Sequence, residues 1–327
     1  MNALRLSASF APNPRVEPLL DGTVQPEGIE LVWESGLPGA LHGRHLLGGG
    51  PDVFEFSLSN FIITRERSSD RWDWLLLPIF ASRATLGLKT LVNVNAGIQE
   101  PADLVGARFG IPDYTMTAGL WFRAVLRRIH DVDTTAMEWH VARAGSESNG
   151  QKMGFLEQPP RAARLVWSSP HEVDRNLQAG AIDAAFPAAD IPITIDTDRV
   201  RPLFDDGGRT FFADFRAATG FVPGNHVVCM KRRLAEEHPW VVRSVYEAFV
   251  AAKKIAFERD RQAAGIFRSG NHDIDWQATV YGADPFPYGL TANLDMLQMA
   301  AEQSQIDGLT SKVWDLADFV PAALSST

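Results

Sequence analysis

Gly110-Ile111-Pro112-Asp113-Tyr114-Thr115-Met116-Thr117-Ala118-Gly119-Leu120-Trp121 lies where one backbone periodicity gives way to another. Before it, Ala107-Arg108-Phe109-Gly110-Ile111 is a short, mostly apolar run that reads as a buried strand. After it, Leu120, Trp121, Val125, Leu126 and Ile129 recur at helical spacing. Thr115 or Thr117 is placed to cap that helix, which leaves backbone N–H groups of its first turn for an anion. Tyr114 adds a ring inside the loop. A strand, a polar loop and a capped helix start suit a small molecule bearing a carboxylate and a ring, and Tyr114, Thr115, Met116 and Thr117 become binding candidates. The same turn also serves simply to join a strand to a helix.

Outward from this unit, strand and helix patterns alternate, the signature of an α/β protein. Residues 4–9, 29–33, 52–56, 74–80, 86–95, 164–167, 181–186 and 220–230 read as strands. Residues 37–47 read as a helix stopped by Gly48-Gly49-Gly50, and Ser57 opens a helix running to residue 67. The longest helix spans 239–259, with Trp240, Val241, Val245, Phe249, Ala252 and Ala256 on one stripe. Residues 145–161 are polar and carry Gly and Pro, so a long surface loop is expected. The pattern fits a discontinuous division, with 1–89 and 226–327 in one lobe and 90–225 in the other. The chain would cross near Lys89-Thr90 and Gly224-Asn225, with a ligand cleft between the lobes.

The chain has 327 residues, 31 basic and 40 acidic, for a net charge of -9. That sign argues against nucleic acid or anionic lipid as a main partner. A single cysteine, Cys229, forbids an internal disulfide and any metal site built on several thiolates. No apolar run approaches the roughly 20 residues of a membrane span. The first ten residues read directly as a strand rather than a signal peptide, so a cytoplasmic location is expected.

Further runs follow in order: Pro18-Leu19-Leu20-Asp21-Gly22 with Pro26-Glu27-Gly28-Ile29; Phe56-Ser57-Leu58-Ser59-Asn60; Ser82-Arg83; the 110–121 loop; and Leu177-Gln178-Ala179-Gly180-Ala181-Ile182-Asp183-Ala184. Then come Thr219-Gly220 with Pro223 and His226, His238-Pro239-Trp240, and Asp284-Pro285-Phe286-Pro287-Tyr288-Gly289-Leu290. In this order they resemble the 4,5-dihydroxyphthalate decarboxylase family over nearly the whole chain. The resemblance implies a two-lobe fold like that of type II periplasmic binding proteins, turned into a cytoplasmic enzyme. It implies loss of carbon dioxide from a hydroxylated aromatic carboxylic acid. One departure stands out. After the Ser-Arg pair the family continues with a Phe-Arg-His-like run, whereas Ala84-Thr85-Leu86-Gly87-Leu88 stands here. A cation and an imidazole are missing, which leaves room for a less anionic substrate or another reaction.

Decarboxylation of an electron-rich ring requires an oriented carboxylate, stabilisation of the charge left on the ring, and a proton for carbon. Arg83, with Ser82 at the end of a buried strand, is the carboxylate-binding candidate; a salt bridge is its structural alternative. Ser57, Ser59 and Asn60 stand where a strand turns into a helix and can cap it or bind a ligand oxygen. His226 is the proton-donor candidate, with a hydrogen-bonded structural histidine as the alternative. Glu55, between two phenylalanines, is a second acid candidate if burial raises its pKa. Tyr288, in the Pro-rich turn with Phe286, can cover the ligand. Trp121 belongs to an apolar stripe and reads as core.

His42 and His45, three apart, lack further ligands at useful spacing, so no metal is expected there. Forty acidic residues still leave a carboxylate-held divalent ion open. Gly48-Gly49-Gly50 lacks the residues of a phosphate loop, no Gly-x-Ser-x-Gly elbow occurs, and Cys229 reads as inert. The expected partner is a small-molecule aromatic carboxylate, with no cofactor, no nucleic acid and no membrane; self-association is left open. Two other functions compete: a solute-binding protein for a small carboxylate or heterocycle, and another lyase on the same fold, of the chorismate-dehydrating type.

Overall fold

Eleven strands run through the residues that the computed structural model describes, which are 3–67, 70–84, 87–187, 193–266 and 274–327. They are β1 (Leu4–Phe10), β2 (Ile29–Ser35), β3 (Val53–Ser57), β4 (Trp74–Arg83), β5 (Leu91–Asn93), β6 (Arg108–Ile111), β7 (Glu138–Val141), β8 (Arg164–Trp167), β9 (Ala184–Ala185), β10 (Val200–Pro202) and β11 (Gly224–Lys231). Two units divide the chain: Met1–Ala84, Phe221–Ala301 and Trp314–Thr327 form the first, and Thr85–Gly220 with Glu302–Val313 the second.

In the first unit the sheet order is β2-β1-β3-β11-β4. β1 is parallel to both β2 and β3, and β11 runs antiparallel to β3 and β4. The mostly apolar strands β3 and β4 are buried almost throughout, Glu55 included, as strands covered on both faces must be. β2, at the edge, buries Ile29 and exposes Glu30, Val32 and Glu34. The helix Pro38–Gly48 ends on Gly49, whose φ of 79° is the left-handed cap that only glycine adopts without strain. The helix Leu58–Glu66 is capped by Ser57, whose Oγ accepts the Asn60 N–H at 3.3 Å. The helix Pro239–Arg259 buries Val241, Val245, Phe249, Ala252 and Ala256 as its stripe requires. Trp240 is the exception and is half exposed; its ring lies beside Gly28, where an added Cβ would meet it at 3.3 Å.

The second sheet has the order β10-β5-β9-β6-β7-β8, parallel from β9 to β8 and antiparallel around β5. Gly110 is required by packing, since a Cβ there would meet Val173 at 2.7 Å and Ala185 at 2.9 Å. Three expected strands are shorter than their apolar runs, the 220–230 run yielding β11 only from Gly224. The 86–95 run yields only β5, because Gly87 (φ 70°) makes a turn closed by the Thr90 N–H and Oγ1 on its carbonyl. The 181–186 run yields only β9, because Asp183 turns aside to Arg108 at 2.6 Å. The expected surface loop at 145–161 instead contains the helix Asn149–Lys152 and buries Ser148, Met153 and Phe155.

Candidate active site

Register between neighbouring strands builds the centre of the first unit. His226 on β11 stands opposite Ser57 on β3 and opposite Ser82 on β4. Residues directly opposite in antiparallel strands share a face, so the three side chains form one row. The β11–β4 register shifts on both sides of His226, an irregularity that re-aims side chains. Glu55, two residues before Ser57, reaches His226: Oε1 lies 2.5 Å from Nδ1. Its Oε2 accepts the Ala11 N–H at 2.8 Å. Glu55, read from the sequence as an acid, therefore stands as an acceptor that fixes the imidazole. The Asn225 amide nitrogen lies 3.2 Å from His226 Nε2. This network assigns the Nδ1 proton to the Glu55 bond and leaves Nε2 as the exchanging end. The side chain of His226 is 14% exposed and that of Glu55 5%, so the imidazole is the reachable member of the pair.

Two further imidazoles adjoin it. The His42 ring meets the His226 ring edge-on at 4.7 Å. His45 lies 3.1 Å from the Ser9 hydroxyl through Nε2, and burial pulls its pKa down to about 4. Among the described residues no three His, Cys, Asp or Glu side chains gather as metal ligands. Cys229 is buried, and burial raises its thiol pKa, which removes it as a nucleophile.

Arg83 is 5% exposed and held by main-chain oxygens. It donates from Nη1 to Val222 O at 3.0 Å and from Nη2 to Pro287 O at 3.1 Å. Among the described residues no carboxylate pairs with it, and its buried Nε has no hydrogen-bond partner. Burial lowers its pKa to about 9. The salt bridge that sequence reading offered as its alternative role is absent among the described residues. Arg15, which that reading missed, donates from Nε to Ala81 O at 2.8 Å and stacks on the Phe286 ring at 3.8 Å. Nothing in the Pro-rich stretch around Arg15 signals this contact, which joins residues 271 apart along the chain.

The turn at 284–289 is bolted down from several directions. Lys253 pairs with Asp284, donates to Phe286 O at 2.8 Å and lies 4.4 Å over the Tyr288 ring. Asn293 donates to Pro287 O and Gly289 O, and the Gly289 N–H to Pro78 O. The Tyr288 hydroxyl is buried without a hydrogen-bond partner among the described residues. Burial raises its pKa, against the pull of Arg15 and Arg83. Ser59 is fully buried, and Asn60 Oδ1 is buried without a hydrogen-bond partner among the described residues.

Tyr114, Thr115, Met116 and Thr117 belong to the second unit. The helix there, Thr117–His130, starts after Met116 with no side-chain cap, so the expected Thr115 or Thr117 cap does not form. Thr115 Oγ1 donates instead to Asp113 Oδ1 at 2.7 Å. Asp113 Oδ2 accepts from Ser148 Oγ, Asn149 N and Gly150 N. The Asp113 carboxylate thus ties this loop to the start of the helix Asn149–Lys152. Tyr114 is buried against Trp139, under the Arg123 guanidinium at 4.0 Å, and its hydroxyl donates to Asp307 O. Trp121 is core, as expected. Thr85 and Leu86 of the departing segment lie outside the described residues.

No family model matches the chain. The 4,5-dihydroxyphthalate decarboxylase of Comamonas testosteroni is 28% identical over 332 residues, spanning 100% of this chain and 99% of that protein. The similarity to a 4,5-dihydroxyphthalate decarboxylase thus runs through all of the given sequence. The decarboxylase of the same name from Pseudomonas putida is 29% identical over 209 residues, 63% of this chain and 79% of that one. Among solved structures, the periplasmic aliphatic sulphonate binding protein SsuA of Escherichia coli aligns over 99% of each chain with a TM-score of 0.55 and 14% identity. A mutant of the desulfurization enzyme DSZB in complex with biphenyl-2-sulfinic acid aligns over 99% of this chain and 98% of its own, with a TM-score of 0.53 and 15% identity. This decarboxylase relative thus has the α/β fold of periplasmic binding proteins. No helix among its described residues is long and apolar enough to cross a membrane.

Proposed function

We propose that the chain removes carbon dioxide from a small hydroxylated aromatic carboxylic acid of the 4,5-dihydroxyphthalate kind. The observation that carries this is the Glu55–His226 pair, buried at the centre of the first unit in a chain whose relatives are named decarboxylases. The bond between ring and carboxylate breaks, carbon dioxide leaves, and the bonding electron pair stays on the ring carbon. His226 delivers a proton to that carbon from Nε2 and recovers it from solvent, so each turnover consumes one proton. Glu55 holds the ring by Nδ1 and compensates its charge when both nitrogens carry protons. Ser57 and Ser82, beside His226 in the row, bind substrate oxygens. Asn60 Oδ1, an acceptor, takes a ring hydroxyl, and Arg83 supplies the cation for a carboxylate. Ser59 shapes the same wall. Tyr114, Thr115, Met116 and Thr117 serve the packing of the second unit. The enzyme works without a bound cofactor, in the cytoplasm.

The fold also favours a second reading, a binding protein for a small carboxylate, since sulphonate-binding proteins share it. The test is carbon dioxide release by the purified protein from a panel of hydroxylated benzoates and phthalates, with and without a chelator. Release from 4,5-dihydroxyphthalate, indifferent to the chelator, is the expected result. His226→Asn should then lower turnover by at least about 10²-fold while substrate affinity stays within about threefold. Tight binding with no release from any panel member establishes the binding protein instead, and full activity in His226→Asn removes His226 as the acid.

A further inference from the structure

We propose that Arg83 Nε and Tyr288 Oη form a subsite for the carboxylate that stays on the ring after the reaction. Both atoms are buried donors without a hydrogen-bond partner among the described residues. They belong together. The Arg83 guanidinium donates to Pro287 O, the carbonyl of the peptide that leads into Tyr288. The turn carrying Tyr288 is held by Lys253, Asn293 and the Pro78 carbonyl, so the hydroxyl is placed before any ligand arrives. Arg83 also follows Ser82 directly, and Ser82 stands opposite His226.

Donor count and charge select the ligand. An N–H on a cation and a phenolic O–H offer two donors and no obligatory acceptor, which matches the two oxygens of one carboxylate. Arg15 adds positive charge beside the same turn, where Lys253 is already paired with Asp284. Which carboxylate it holds follows from the chemistry of the leaving group. A guanidinium stabilises a carboxylate anion and offers nothing to neutral carbon dioxide, so binding the departing group there would deepen the ground state and slow the reaction. The carboxylate that leaves needs the drier surroundings near His226, and the cationic subsite suits the one that remains. The substrate is then a vicinal dicarboxylate, and the product keeps its grip on Arg83 and Tyr288. This assignment rests on the decarboxylase reading for which group departs, but the anion subsite itself is open to test without turnover.

The experiment compares 3,4-dihydroxybenzoate with catechol, which lacks only the carboxylate, by calorimetry on the wild type and Tyr288→Phe. Tyr288→Phe should weaken 3,4-dihydroxybenzoate about 10-fold and leave catechol within about twofold. In the kinetic arm, KM for 4,5-dihydroxyphthalate should rise by a similar factor with kcat nearly constant, because the contact is the same in the ground state and the transition state. Equal losses for both ligands, no loss for either, or a fall in kcat at constant KM would overturn the assignment. A carboxylate-selective loss in a protein that releases no carbon dioxide would keep the subsite and sink the decarboxylase reading. Arg83→Lys supplies a second variant: it keeps the charge but removes the Nε donor, and the same selective loss is expected.

Discussion

At His45, burial decides protonation. The ring packs on Phe54 at 4.7 Å, and its folded pKa of about 4 lies below the unfolded value of 6.5. Between those values the unfolded chain binds the extra proton, so stability rises with pH across the window. The contribution, about 3 kcal/mol, is fully present above pH 6.5 and is lost as pH falls toward 4. In His45→Gln, the pH dependence of the unfolding free energy between pH 4 and 6.5 should flatten; an unchanged slope would show that another group carries it. Glu55 yields a second prediction. Glu55→Gln keeps an acceptor for Nδ1 but removes the charge, so kcat should fall about 10²-fold with KM nearly constant. His226 and Glu55 were each legible in the sequence as candidates. Their pairing was not, because it joins residues 171 apart through a strand register that only tertiary structure sets. Arg15 gave no signal at all, since its partners are main-chain oxygens and a ring.

Among the elements, legibility followed burial. β3, β4 and the helix Pro239–Arg259 carry long apolar runs or stripes, and all three stand where those patterns put them. Strands beside a glycine turn or a charged residue shrank, because an apolar run does not say which of its backbone groups find a partner strand. The 110–121 loop shows the limit most clearly. Strand, turn and helix stand where the pattern puts them, but the pattern gives no sign that Asp113 gathers Thr115 and the distant residues Ser148–Gly150. Asp113→Ala should lower the unfolding free energy by about 2–3 kcal/mol, since it strands several buried donors. Hydrogen exchange should quicken at 148–155 before it does in β6. Protection that stays uniform there would mean that this segment is held by Met153 and Phe155 packing alone.

On the scale of the whole molecule, the first-unit residues arrive in three pieces and the second-unit residues in two. The sequence pattern puts 226–327 in one lobe; the return of 302–313 to the second unit carries no sequence signal, because the helix Leu294–Ile306 runs across the boundary between the units. Its anchor is Asp307, paired with Arg123 at 2.7 Å with both side chains at 1% exposure or less. Burial raises the Asp307 pKa in spite of Arg123 and Gln303. Arg123→Met should cost about 3–5 kcal/mol by leaving a carboxylate without its cation, whereas Arg123→Met with Asp307→Leu should recover most of the loss. Chemical denaturation of the wild type, both single variants and the double variant decides this, and simple additivity of the single changes would show that the pair does not interact.

The same pair ties folding to the clock of synthesis. Arg123 leaves the ribosome 184 residues ahead of Asp307. At about 5–20 residues per second, that leaves a buried guanidinium without its counter-charge for roughly 10–40 s. A nascent chain cut before residue 307 would carry every strand of the second sheet and still leave Arg123 without its counter-charge.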